Sequence, residues 1–210
     1  MKIILLAAVL LSLVSIATAE INLSRDFDVP IDVYILDKTI EKEGALSVIE
    51  DANKIWNQYN VSFQVESIVE LENVMLEKEK SILFNENNCT LIKPIMNKII
   101  KNDTLTKKII LIHTKNRETD GRACVCGCDF AIIDSFSKFN FLRNRVLGWN
   151  LAHEMGHLLQ AQTVICKEKN LMIEDCGNNF FYLIYYKYLL KPKLLKKDQI
   201  ESVHNALKGI

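Results

Sequence analysis

The sequence predicts an α+β fold: a single domain built on a twisted mixed β-sheet, with one long histidine-bearing helix and a C-terminal helix. Three observations predict it. The chain opens with a strand–helix–strand pattern, which calls for parallel pairing through a right-handed crossover. A later run, Lys-Ile-Ile-Leu-Ile-His at 108–113, has the β-branched density of a buried strand. Beyond it, apolar residues surround His153 and His157 over a length only a helix can use.

The elements follow in order. Residues 20–29 form a short polar lead, and 31–36 alternate as a first strand. Residues 37–44 are a loop. From 45 to 59, Leu46, Ile49, Ala52, Ile55 and Trp56 recur at helical spacing, with Trp56 a core side chain. Residues 61–65 alternate again as a second strand. The stretch 71–102 has no clear period except a short helix over 91–100. After the 108–113 strand, His113 is a core or loop histidine, and 114–122 is a loop with an Asp120-Gly121 turn. Residues 123–134 make one or two short strands. Helix starts lie at 137–140, and the long helix runs from there to about 162. A loop covers 166–179, a buried aromatic helix 180–190, and Pro192 ends it. An amphipathic helix over 198–207 closes the chain. No internal repeat or low-complexity linker divides it, so residues 20–210 read as one domain.

The first nineteen residues have the form of a secretory signal: Lys2, an apolar run over 3–14, and the small-x-small site Ala17-Thr18-Ala19. The apolar run is short for a membrane span. A secreted protein is expected, extracellular or periplasmic according to the source. Charge is balanced at 26 basic and 26 acidic residues, and losing Lys2 leaves 25 against 26. That balance gives no support to nucleic-acid binding. The lysines at 187, 191, 193, 196 and 197 read as a solvated surface. All six cysteines (Cys89, Cys124, Cys126, Cys128, Cys166, Cys176) follow the signal, so up to three disulfides are expected. Cys166 and Cys176 flank a loop short enough to bridge. Cys124, Cys126 and Cys128 alternate, so on a strand they share a face and do not easily pair with one another. A thiolate metal cluster of these three is the competing reading, disfavoured in an oxidising compartment. Sequons stand at Asn22, Asn60, Asn88 and Asn102, relevant in a eukaryotic source.

The chemistry-bearing stretch is His153-Glu154-Met-Gly-His157, which holds two of the chain's four histidines. Residues four apart on a helix lie one above the other. Two imidazoles so placed can grip one metal ion, most often zinc. Glu154 can reach water beside that ion as general base. Two histidines and a glutamate buried among Val146, Leu147, Leu151, Leu158 and Leu159 are costly without a partner, and a metal is the simplest one. Gly156 leaves room for close packing before His157.

This order of parts resembles the metzincin clan of zinc metallopeptidases. The resemblance is carried by Ala52-Asn-Lys-Ile-Trp56, the strand ending at His113, Gly121-Arg-Ala123 ahead of Ala131-Ile-Ile-Asp134, and the His153–His157 helix. Asn170-Leu-Met172 is similar to the clan's Met-turn, and 199–204 to its closing helix. The cysteine placement is similar to the adamalysin branch. The resemblance implies a zincin-like catalytic domain with one catalytic Zn2+ on His153 and His157. It implies a secreted endopeptidase that uses a metal-activated water with Glu154 as general base. Met172 would be structural, as an apolar core residue also is. The substrate, a peptide or protein, would bind in extended form along an edge strand over 123–130. The expected protein is a monomer with no membrane partner once the signal is removed.

The chain departs from the clan pattern after His157. Gln160 stands where Gly turns the chain, a position at which Gln is poorly tolerated. Thr163 stands where the third ligand belongs. Glu168, Glu174 and Asp175, with Gln162 behind them, are the candidates to supply that ligand; failing them, zinc is expected to bind weakly through the two histidines and extra waters. The alternative is an inactive relative that binds peptide or protein without cutting it.

Overall fold

The computed structural model describes residues 27–100, 106–115, 121–123, 126–127, 129–135, 143–161, 171–172 and 195–208, with the side chains of 143–145 outside the description. Five strands form one sheet in the order β2-β1-β3-β5-β4. These are β1 (Phe27–Leu36), β2 (Val61–Leu71), β3 (Lys107–Ile112), β4 (Gly121–Ala123) and β5 (Phe130–Asp134). β1 runs parallel to β2 and β3, and β3 parallel to β5, while β4 is antiparallel on β5. The described helices are α1 (Lys42–Trp56), α2 (Glu77–Asn85), α3 (Cys89–Ile99), α4 (Arg143–Leu158) and α5 (Lys197–Lys208), with a 3-10 turn at Asn57–Tyr59. The fold is the mixed α+β arrangement expected.

Side-chain alternation splits the central strands between two cores. Val33, Ile35, Ile109, Leu111, Ala131 and Ile133 face α1 and α4. Tyr34, Leu36, Ile110, Ile112, Phe130 and Ile132 face α2 and α3. Strands covered on both faces need apolar residues at every position, which is why β3 and β5 read as continuous runs.

Several boundaries differ from the sequence reading, each for a physical reason. β1 starts at Phe27, four residues early, because Phe27 N–H is held by Asn60 O at 2.7 Å. β2 runs on past Val65 to Leu71. Its alternation breaks because Glu66 is an extra residue: Ile31 pairs with Val65, then Asp32 pairs with Ser67. A bulge of this kind reverses the inside–outside phase. It also brings Ser67 Oγ within 2.5 Å of Asp32 Oδ1, and Thr106 Oγ1 donates to the other oxygen, so this buried carboxylate is satisfied.

On α1 the buried face is Ala45, Val48, Ile49, Ala52 and Trp56. Leu46, expected in the core, is 46% exposed. The face is set by close approach of α4. A Cβ on Gly148 would lie 2.5 Å from Asp51 Cβ and 3.0 Å from Val48 O. Small residues therefore line the contact, and Trp56 closes it by donating Nε1–H to Ala152 O at 3.0 Å.

α2 lies in a stretch without a clear period because its first turn is charged and only Lys80, Leu83 and Phe84 are buried. Its start is made by Glu79, whose carboxylate accepts from Leu76 N–H at 2.9 Å. β4 begins at Gly121, where a turn was expected, so the edge strand lies earlier than 123–130. Cys126 pairs with Cys89, a partner the spacing left open, and no described cysteine is free. The expected 180–190 helix, the Cys166 and Cys176 loop, Cys124, Cys128 and the signal segment lie outside the described residues. No helix among the described residues is long and apolar enough to cross a membrane.

Candidate active site

α4 carries the site under the β5–β4 edge of the sheet. Leu151, Ala152, Met155 and Leu158 are buried in the core and fix the helix's rotation. That leaves His153 and His157, one turn apart, on a half-exposed face. Their Nε2 atoms converge to 3.2 Å, with the rings nearly perpendicular at 84°. His153 Nδ1 lies 2.7 Å from Leu171 O. A carbonyl only accepts, so Nδ1 carries the proton and His153 Nε2 presents its lone pair. The indole of Trp149, one turn earlier, lies nearly parallel to the His153 ring at 17°, with centroids 6.0 Å apart. The backbone contact and the stack together hold that imidazole in one orientation.

Glu154 is buried beside this pair, and β4 presses on it. A Cβ on Gly121 would meet Glu154 Oε1 at 2.8 Å and Cγ at 2.9 Å, so only glycine leaves the carboxylate its space. Gly121, read as a turn residue in the sequence, serves here by its missing side chain.

Met172 lies beneath the helix. A Cβ on Gly156 would be 2.2 Å from Met172 Sδ and 3.4 Å from the Trp56 ring. Leu171 and Met172 are both buried. Met172 therefore fills the space under Gly156, while its neighbour's carbonyl orients His153.

The helix ends one residue after the second histidine's turn. Ala161 N–H bonds Gly156 O at 2.8 Å and Gln160 N–H bonds His157 O at 3.0 Å, the two bonds of a Schellman cap. The residue at the left-handed position is Gln160, with φ of 60°. The chain thus makes the sharp turn with Gln where glycine was expected to be needed. Ser202 Oγ on α5 donates to Gln160 O at 3.0 Å and braces it.

Glu168, Glu174, Asp175, Gln162 and Thr163 lie outside the described residues. Among the described residues no group of three or more His, Cys, Asp or Glu side chains is placed to hold a metal. The two imidazoles nevertheless fit one. Nitrogens about 2.0–2.1 Å from a tetrahedral zinc stand roughly 3.3 Å apart, close to the 3.2 Å seen. His113 is elsewhere, at the end of β3, with Nδ1 3.0 Å from Asp134 Oδ1. His204 on α5 bonds Tyr59 O at 2.9 Å. Of the positions that shape the site, Trp149 was findable as the residue four before His153. Gly121 and Leu171 lie in stretches that carry the resemblance, but nothing in the sequence assigned either one its contact at the site.

Solved structures share this fold. Archaemetzincin from Methanopyrus kandleri superposes with a TM-score of 0.58, over 89% of this chain and 99% of that chain, at 13% sequence identity. Metalloproteinase-II from Bacteroides fragilis gives a TM-score of 0.49 at 16% identity, over 87% of this chain and 54% of that one. At 13% identity the likeness to archaemetzincin is one of fold alone. No protein-family model and no curated protein matches the chain.

Proposed function

We propose that the chain is a secreted zinc-dependent endopeptidase of the metzincin type, acting as a monomer on peptide or protein substrates bound in extended form along β4. One observation carries the reading: two Nε2 atoms 3.2 Å apart, one with its tautomer set by Leu171 O, beside a buried glutamate. His153 and His157 would hold the metal, with the third ligand expected from Glu168, Glu174 or Asp175. Zinc held there would supply Lewis acidity toward a water and a carbonyl.

The protein's own groups do the rest. Glu154 takes the proton of the attacking water on its carboxylate and passes it to the leaving amine. Gly121 and the neighbouring strand keep that carboxylate in one place. The backbone of β4 aligns an extended peptide by strand addition. Met172 supports the helix from below and does not touch substrate.

The test is zinc stoichiometry after dialysis, with peptide cleavage measured alongside. About one zinc per chain is expected. Glu154→Gln should keep the zinc and lose on the order of 10²–10⁴ in kcat. His153→Ala should lose the zinc. A Glu154→Gln protein that cleaves like the parent removes Glu154 from the mechanism. Thr163, at the third-ligand position, favours one second reading. A folded protein that retains no zinc and cuts nothing is a peptide-binding module of the same fold.

A further inference from the structure

β4 is three residues long and lies at the edge of the sheet, yet it covers Glu154. Three ladder positions on β5 give a strand little hold of its own. Two tethers outside the ladder hold it. Arg122 Nη1 donates to Glu86 O at 2.7 Å and to Leu83 O at 3.2 Å, and Nη2 donates to Asn87 Oδ1. The carbonyls of Leu83 and Glu86 lie at the C-terminal end of α2. There the helix leaves carbonyls without intrahelical partners and its dipole is negative, so a guanidinium is well matched. The second tether is the Cys89–Cys126 disulfide, which joins the chain just beyond β4 to the first residue of α3.

Both tethers end between residues 83 and 89, from the last turn of α2 through the short connection to the first residue of α3. Arg122 and Cys126 both reach the α2–α3 side of the sheet, opposite to the side that meets α4. Arg122 points toward α2, while its neighbours Gly121 and Ala123 face the other way, with Ala123 packed on the α1–α4 core. Holding Arg122 therefore sets how closely Gly121 approaches the Glu154 carboxylate.

We propose that Arg122, backed by the Cys89–Cys126 bridge, is a positioning residue for Glu154. It pins β4 to the α2–α3 connection and so defines the gap in which the carboxylate sits. The consequence for turnover rests on the peptidase reading above, whereas the pinning does not.

The test uses the zinc-loaded protein and three variants: Arg122→Ala, Arg122→Lys, and Cys89→Ser with Cys126→Ser. Three readouts are taken: amide hydrogen exchange across 121–123, the 13C carboxyl resonance of Glu154 (assigned by its loss in Glu154→Gln), and kcat and KM for peptide cleavage. Arg122→Ala should speed exchange in β4 about tenfold while β1 and β3 stay protected. It should shift or broaden the Glu154 resonance and lower kcat about tenfold with zinc content unchanged. Arg122→Lys should recover part of this, since an ammonium lacks the planar fork that spans two carbonyls and an amide. The double serine variant should show the same effects more weakly, and it serves with Arg122→Lys if Arg122→Ala does not fold. An even rise in exchange throughout the chain, or a Glu154 resonance like the parent's, overturns the proposal. So does an unchanged kcat in an active parent. A parent with no turnover defeats the peptidase reading alone, and the exchange and resonance readouts still decide the pinning.

Discussion

Gln160 occupies a left-handed conformation, φ 60°, that costs a side chain with a Cβ about 1–2 kcal/mol. The Schellman bonds to Gly156 O and His157 O, with the Ser202 brace, outweigh that cost. Gln160→Gly removes the strain at some cost in chain entropy. It should raise unfolding stability by roughly 0.5–1 kcal/mol, read as a higher urea midpoint at unchanged slope. A midpoint below the parent's would mean the turn is not strained. Gly156 makes the opposite case. Gly156→Ala drives a methyl into Met172 Sδ and should cost about 1–3 kcal/mol. Pairing it with Met172→Ala should recover part of the loss. Strict additivity in that double-mutant cycle would show that the two residues do not share the space.

At the scale of elements, the contact that places the site is α1 against α4. It is close because Gly148 has no side chain, and Trp56 ties it by a buried hydrogen bond to Ala152 O. The atoms facing Gly148 include backbone on α1, which cannot move aside. Gly148→Ala should therefore cost about 2–3 kcal/mol, lowering Tm by several degrees, without changing any group of the site. Equal thermal stability would show that α4 can slide outward at no cost. Amphipathic spacing made α1 legible, but not which residues faced inward. Leu46 has the right period and the wrong side, because the face was chosen by a partner nearly a hundred residues away. β2 shows the same limit. Its alternation ends at a bulge whose reason, Asp32 needing Ser67, lies on another strand.

For the whole molecule, pH dependence follows from the ion pairs that join loops to helices. Burial alone would raise the Asp37 carboxyl, but hydrogen bonds from Lys80 and Asn73 hold it below its ordinary value. The Lys80 hydrogen bond likewise lowers Glu77, helped by Thr114, and Lys98 with Leu76 N–H lowers Glu79. Burial would lower Lys80, yet its bonds to Asp37 and Glu77 raise it. A carboxyl depressed in the folded state contributes stability above its unfolded pKa, near 4, and loses it as pH falls through the folded value. The raised Lys80 contributes below about 10.5 for as long as Asp37 and Glu77 stay ionised, and that contribution is lost as pH rises through its folded value. Stability should therefore hold across neutral pH and fall on acidification below about pH 4. Lys80→Ala should cost more at pH 7 than at pH 2, where its partners are protonated, as denaturant titrations at the two pH values would show. A penalty equal at both would mean that Lys80 acts by packing its stem.

The opening order of β1, α1 and β2 and the spacing of His153, Glu154 and His157 were determined by the sequence alone. Both depend on local period: two for strands, 3.6 for helices, and four residues between side chains that share a helix face. Tertiary structure alone decided what met that face. Leu171 O orients His153 from 18 residues away, Gly121 shelters Glu154 across the sheet edge, and Cys126 finds Cys89 at a separation of 37 residues. These contacts join segments distant in the chain, and the first two are supplied by a backbone carbonyl and a missing side chain. Neither has a periodicity, so neither can be read before the chain is folded.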